Sequence, residues 1–468
     1  MKPEQYQGAE EAARIFAANT SPRYRQLEWL ESWVAGTQYA DRACDWFDDE
    51  KPLWERRPCI VYPAVDLAIG SYSDLLFGES RFPAFSSRPG EDEEDDEAGL
   101  AEDASQTLDR FIAKYHKLSG FRAYCREGLA AAMGCGTAVG LHGHRGGKPF
   151  SELQPAKWCT PELDQFGAVL RLEIRYPYLD TYRDAQGKWA VRVKLYRRVI
   201  DATNDTTFLP ANATEDGAEP NWQVDNARSV AHNLGFCPSV WYPFMKGCEP
   251  VNVIDGHAIH EKTTDEILQH DLARSQWHRC ALFSEPQMCE IGVEPGYNPT
   301  AEGVTPVVAS TEFGGHIGPG NAVNGGFVYG PTQKPARKKG PGYVNQYTNP
   351  ETKVQILTTP CDSLEAQHTN VSDLRLKVQE ALCVVFLDPE NIKFAATTSG
   401  KALEAIKQKQ IDRCGKYRDD LSERFLEPSV DMQLRIAARA GTSLRVPLIK
   451  QALPILKKFE APDAVAVP

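Results

Sequence analysis

Hydrophobic positions recur every three or four residues over several long stretches of this chain and alternate over one central region. Across residues 9–47, Ile15, Phe16, Leu27, Leu30, Trp33 and Val34 fall at helical spacing, with Gly36 as a stop signal. Residues 64–76 read as an apolar helix ended by Gly78. Helix resumes over 100–133, where the small residues of CREGLAAAMGCG imply close helix packing followed by a strand. From 150 to 245 the pattern changes to alternation. FGAVLRLEIRYPYLD and KWAVRVKLYRRVI are rich in β-branched and aromatic residues, and AQG (185–187) reads as the hairpin turn between them. The polar, turn-rich stretch 202–222 suits an exposed loop, and HNLGFCPSVWYPF (232–244) returns to a strand.

The second half differs. Residues 252–283 predict one long helix with a thin apolar stripe, Ile254, Ile259, Ile267, Leu272 and Trp277, and charge over most of the rest. Such a helix is poor core material and suits a subunit interface or a channel wall. Residues 284–350 are dominated by Gly and Pro without periodicity, with short strands expected near 287–293, 327–329 and 354–357. Two amphipathic helices follow. The first places Leu364, Val371, Leu374, Val378, Ala381 and Val385 on one face; the second places Leu403, Ile406, Cys414, Tyr417, Leu421 and Phe425. Pro428 ends or bends the second helix. At 468 residues the chain exceeds one ordinary core, so the fold class expected is α+β, mainly helical, in two or more domains.

Charge narrows the partners. The formal net charge is −12, and tight clamping of duplex DNA needs Lys and Arg in excess, so the chain surrounds DNA better than it grips it. The acidic run at 89–99, densest over 91–97, reads as a solvated loop, or as a surface that repels DNA or attracts a basic partner. No apolar run reaches the roughly 18–20 residues that span a bilayer, and MKPEQYQGAEEAARIF lacks a signal-peptide pattern, so a soluble intracellular chain without membrane partners is expected. The 12 cysteines are scattered without a CxxC pair and read as small buried hydrophobes in a reducing compartment.

Candidate chemistry is sparse. His257, His260 and Glu261 have the spacing HxxHE, not HExxH, and lack an evident third ligand, so a polar helix face explains them better than a metal. LHGHRGGKPF (141–150) reads as a turn after a strand. TTSGKALE fails as a phosphate loop because Ala402 follows Lys401 and no glycine precedes Gly400 at the required distance. Ser399 and Gly400 instead suit a helix start. No GxSxG elbow exists. The expectation is therefore no enzyme, no catalytic residue, no metal and no cofactor. Lys334, Arg337, Lys338 and Lys339 form the densest basic cluster, serving either loop solvation or contact with phosphates or an acidic protein surface.

The order of parts resembles the portal, or head-to-tail connector, proteins of tailed bacteriophages. WVAGTQYADR is similar to that family's early helix-to-glycine segment, and PCIVYPAVDLAIGSYSDLLFGESRFP to its following helix. HNLGFCPSVWYPF is similar to the strand before the first stem helix, and TSGKAL to the start of the long helix after the tunnel loop. The resemblance implies a wing over 1–251, a first stem helix over 252–283, a clip over 284–355 and a second stem helix over 362–384. A tunnel loop over 385–400, a long wing and crown helix over 401–440 and a short crown with its tail over 441–468 complete the order. It implies DNA-facing roles for Asn391, Lys393, Thr397, Thr398 and Ser399 in the tunnel loop, and a docking role for the basic cluster in the clip. The implied assembly is a homo-oligomeric ring of about twelve subunits at the capsid vertex of the virion, put together in the host cytoplasm. Double-stranded DNA would pass through it, with terminase large subunit, head–tail adaptor and major capsid protein as partners. The alternatives from the residues alone are a soluble multidomain hydrolase with a site in 150–245, and a capsid-associated adaptor without a channel.

Overall fold

The computed structural model of the chain describes residues 9–40, 56–78, 82–83, 85, 102–184, 187–246, 254–283, 287–291, 353–357, 361–384 and 400–459. Among these the fold is mixed α+β, about half helical, with open sheets. Two compact units are present. One comprises Met1–Ala43, Val61–Ile267 and Lys377–Pro468; the other comprises Cys44–Ile60 and Leu268–Leu376.

The first unit opens with two helices where the helical pattern before the Gly36 stop showed no break; residues 41–47 of that pattern lie outside the described residues. α1 (Ala9–Ala18) stops before Asn19, and α2 (Pro22–Val34) restarts at Ser21, whose hydroxyl accepts a hydrogen bond from the Tyr24 N–H. Pro22 stands at the start of α2, where its missing N–H costs nothing. Gly36, at φ 69°, follows its end as expected. α3 (Ala64–Phe77) matches its sequence pattern closely, stopping before Gly78. The helix predicted over 100–133 is likewise two: α4 (Glu102–Ser119) and α5 (Phe121–Cys135), parted at Gly120, whose φ of 73° no continuing α-helix permits.

Two sheets follow. β1 (Thr137–Arg145) lies between β2 (Lys148–Gln154) and β9 (Ser239–Pro243), all antiparallel. Gly146 and Gly147, both at positive φ, make the β1–β2 turn expected for 141–150. The larger sheet runs β3 (Cys159–Leu163), β4 (Val169–Arg183), β5 (Trp189–Ile200), β6 (Asn204–Thr207), β8 (Val230–Ala231), with β7 (Ala211–Asn212) also paired to β5. The stretch 202–222, expected as loop, therefore carries short strands on the β4–β5 hairpin. One core cluster joins Leu27 and Leu30 of α2 to Val139, Leu172, Ile174 and Trp241 of the sheets. Another packs Leu108 and Phe111 of α4 against Ala437, Leu444 and Leu456 near the C-terminus.

The last helices form one long run. α8 (Gly400–Leu421) passes through a π turn at Ser422–Leu426 into α9 (Glu427–Ala440), and α10 (Ile449–Phe459) closes the unit. Pro428 thus neither ends nor breaks the path. It sits in the first turn of α9, just after a widened turn that relieves the clash between its ring and the carbonyl four residues back. Phe425 in that turn is fully buried, stacked between Tyr124 (centroids 5.0 Å) and Tyr242 (5.4 Å). Gly128 of α5 lies against it: a Cβ there would come within 2.5 Å of the Phe425 ring. Gly128→Ala is expected to lower stability by about 1–3 kcal/mol, read as a fall in the urea midpoint at unchanged slope.

The buried cysteines match their sequence reading as apolar fillers. Burial pushes the Cys135 and Cys159 thiols up to about 12, far from a reactive thiolate.

Candidate functional site

α6 (Thr264–Phe283), β10 (Gln287–Ile291), β11 (Lys353–Leu357) and α7 (Cys361–Leu382) form a helix–ribbon–helix series. β10 and β11 pair antiparallel from Gln287↔Leu357 to Ile291↔Lys353, so the chain leaves and re-enters this series through one two-stranded stalk. The strands expected near 287–293 and 354–357 are present; that near 327–329 lies outside the described residues. So do Lys334, Arg337, Lys338 and Lys339, and also Asn391, Lys393, Thr397, Thr398 and Ser399.

The helix predicted over 252–283 begins only at Thr264, a correction of twelve residues. The reason is a close backbone crossing upstream. The Gly256 N–H donates to the Gly136 carbonyl (3.1 Å) and the His257 N–H to the Phe244 carbonyl (2.8 Å), so this stretch is bound to other backbone and cannot make its own helical bonds. Ile254 and Ile259, expected on the helix stripe, lie in this non-helical segment.

α6 buries Ile267, His270, Asp271 and Ser275 at three- and four-residue steps, so the buried stripe is polar rather than apolar. His270 Nδ1 lies 3.1 Å from the Asp271 carboxylate, and the Ser275 hydroxyl accepts from the Ile60 N–H at 3.2 Å. Trp277 of α6 and His368 of α7 bring their rings within 5.5 Å.

α7 is different. None of residues 364–377 is buried, although Leu364, Val371, Leu374 and Leu376 lie among them, and Leu376 is 52% exposed. Only its last turns reach a core, through Val378 and Leu382. The face predicted from sequence is buried at Val378, while Leu364, Val371 and Leu374 on the same face are only partly covered.

The end of α7 is tightly specified. Cys383 takes φ 53°, its N–H bonds the Glu380 carbonyl, and the Val384 N–H reaches back to Gln379. This is the left-handed stop usually given to glycine. The Tyr72 hydroxyl of α3 lies 3.1 Å from the Leu382 carbonyl and 3.0 Å from that of Cys383, supplying a donor to the helix end. Tyr72 also packs edge-on to Tyr417 of α8, and Gln410 of α8 donates to the Ser71 hydroxyl. α3 therefore holds both the end of α7 and the body of α8. Cys383→Gly is expected to raise stability by about 0.5–1 kcal/mol by removing the Cβ penalty, visible as a higher melting temperature.

The histidine constellations are dispersed. His257 pairs with Glu261 (2.9 Å), while His260 is buried against Trp33, where burial lowers it to about 4. His142 is enclosed beside Ser151 and Gln433, and burial, then the nearby His116, lowers it to about 3. His116 itself is held at about 4 by burial, opposed by a hydrogen bond to Gln433. With the Tyr124–Ser429 hydroxyl pair (2.9 Å) these residues make a buried polar cluster linking α4, α5, β1, β2 and α9. Sequence reading missed it; histidines on otherwise apolar faces were the available signal.

No protein-family model and no curated protein matches the chain. No helix among the described residues is long and apolar enough to cross a membrane.

Proposed function

We propose that the chain is a portal-type subunit, forming a ring at a capsid vertex through which double-stranded DNA is packaged and ejected. The observation that carries this reading is α7, a 22-residue helix with no buried side chain over 364–377 despite its apolar positions. A helix of this length is not held by propensity alone and needs a packed face. Neighbouring copies supply one when a head-to-tail contact repeats by rotation and closes. The helix–ribbon–helix series supports the same reading, since it brings two long helices and a stalk together in the order stem, clip, stem. In that reading Asn391, Lys393, Thr397, Thr398 and Ser399 face DNA. Lys334, Arg337, Lys338 and Lys339 dock terminase and then the head–tail adaptor, and the virion is the final location. The ring carries no catalytic step of its own.

The test is direct. Purified protein is expected to give closed rings in negative-stain images, with a channel that admits duplex DNA. The double variant Leu374→Asp, Leu376→Asp is expected to convert rings to monomers. Its thermal stability as a monomer should stay within about 0.5 kcal/mol, because both positions lie outside the monomer's core. Compact monomers from the unaltered chain at every concentration would overturn the reading.

A further inference from the structure

α9 has few large apolar anchors. Its buried residues are Ser429, Val430, Gln433, Ile436, Ala437 and Ala438, so only Val430 and Ile436 bring sizeable apolar side chains. Ser429 and Gln433 are engaged by the His142 cluster instead. The Ser429 hydroxyl lies 2.9 Å from that of Tyr124, and Gln433 Nε2 lies 3.0 Å from the Ser151 hydroxyl and 3.5 Å from His142 Nδ1. Gln433 also bonds His116, so one side chain of α9 bridges both histidines.

The cluster has no place for a positive charge. Titratable groups reach it from α4 (His116), α5 (Tyr124) and β1 (His142), while β2 and α9 contribute Ser151, Ser429 and Gln433. Among the described residues no carboxylate bonds either imidazole, and His142 Nε2 has no hydrogen-bond partner. A proton on either ring of the closed cluster would be a cation without a counter-ion, and two such cations would repel each other. The closed rings therefore stay neutral at pH values where a hydrated imidazole is protonated.

The ends of α9 favour a local opening. The π turn at Ser422–Leu426 interrupts the regular bonding before it, and Phe425, stacked between Tyr124 and Tyr242, fixes that end. Pro428 adds no N–H donor to the first turn, and Gly441, at φ 52°, ends the helix on the other side. A helix with few apolar anchors between two such ends opens at lower cost than the unit that carries it.

We propose that α9 is an acid-opened clasp: as pH falls from 7.5 to 5.5, its turns around Ser429 and Gln433 lift off α4, β1 and β2 and hydrate His116 and His142, while the sheets and α5 stay folded. The open form takes up a proton on each ring below the ordinary value near 6.5, and the closed form does not, so opening is favoured as pH falls and is indifferent to pH above about 7. At pH 5.5 each ring contributes about tenfold, and the two together about 100-fold. Opening of this kind precedes loss of the whole unit and does not depend on ring formation.

The test is native-state hydrogen exchange of the full chain at pH 7.5 and 5.5, corrected for intrinsic rates and repeated in low urea. Amides of 429–436 are expected to open about 100-fold more often at pH 5.5 with little dependence on urea, while those of β1 and α5 depend on urea steeply. His116→Gln, at a partly exposed position, should cut the gain to about tenfold. His260→Phe, outside the cluster, should leave it unchanged. A urea slope shared by 429–436 and β1 would overturn the clasp in favour of whole-unit unfolding. An undiminished gain in His116→Gln, or no gain in the unaltered chain, would overturn the two histidines as its trigger.

Discussion

Gly256→Ala is expected to destabilise the first unit severely. Three backbone segments cross at this point, from Gly136, Phe244 and Gly256, and a Cβ on Gly256 would fall onto the Phe244 carbonyl oxygen, 2.5 Å from its nitrogen and 2.7 Å from the Gly136 carbonyl oxygen. These neighbours are backbone atoms held by their own hydrogen bonds, so no rotamer change relieves the overlap. Gly136 on the opposite side takes φ 79° and is itself closed to a Cβ by the Gly256 carbonyl. Overpacking of this kind, with loss of the bonds from Gly256 and His257, is expected to cost about 3–5 kcal/mol, a large share of a domain's roughly 5–15 kcal/mol. Gly70→Ala gives the contrast. Gly70 is a helical position of α3 with open space around its Cα, and alanine there should raise stability by about 0.5–1 kcal/mol. Urea unfolding of the two variants should move in opposite directions; similar midpoints would remove the crossing as the cause.

Acid should destabilise the first unit well before its carboxylates titrate. His116 and His260 are held at about 4 and His142 at about 3, in each case chiefly by burial. Above pH 6.5 these histidines are neutral in both folded and unfolded chains, so stability is flat. As pH falls below 6.5 the unfolded chain takes up three protons that the folded chain refuses, and stability drops until pH nears 4. At pH 5 each histidine accounts for about 2 kcal/mol, or about 6 kcal/mol together, comparable with the whole stability of a domain. Urea midpoints measured between pH 7.5 and 5 should fall steeply. His260→Phe, which keeps a ring against Trp33, should remove about a third of the slope. A flat profile to pH 5 would show that these rings reach solvent.

Much of the helical part was legible because apolar spacing and terminator residues agree there. α3 with Gly78, the β4–β5 hairpin and the α7 face at Val378 all follow from period and turn chemistry. The misplaced boundaries have a common cause. Asn19–Ser21, Gly120 and the stretch before Thr264 interrupt helices through caps, a left-handed glycine and tertiary backbone bonds, which leave the apolar period almost unchanged. The non-helical 254–263 is the clearest case, since the Gly256 and Ile259 N–H groups bond residues more than a hundred positions away, at Gly136 and Met133. The predicted DNA-facing and clip residues lie outside the described positions, so the legible part of the candidate site is its frame: α6, the β10–β11 stalk, α7 and the Tyr72 anchor.

The π turn at Ser422–Leu426 makes residue count, as well as residue type, a constraint on the C-terminal helices. Through α8 the buried positions run Gln410, Cys414, Tyr417, Leu421, an α-helical period. From Leu421 they fall every fourth residue, at Phe425, Ser429, Gln433 and Ala437. In an unbroken α-helix four such steps would rotate the stripe by about 160°, and the wide turn takes back about 100° of that. A deletion of one residue within 422–426 would restore a plain α-helix and leave α9 in phase, because the rotation the wide turn takes back equals that of the residue lost. A deletion of one residue in α8 has no such compensation and would set the buried stripes of α8 and α9 about 100° apart, so that the α8 core and the Gln433–His142 cluster could not both form, without any side chain in either place having been altered. Single-residue deletions should therefore be tolerated far better within this short window than in the helix before it.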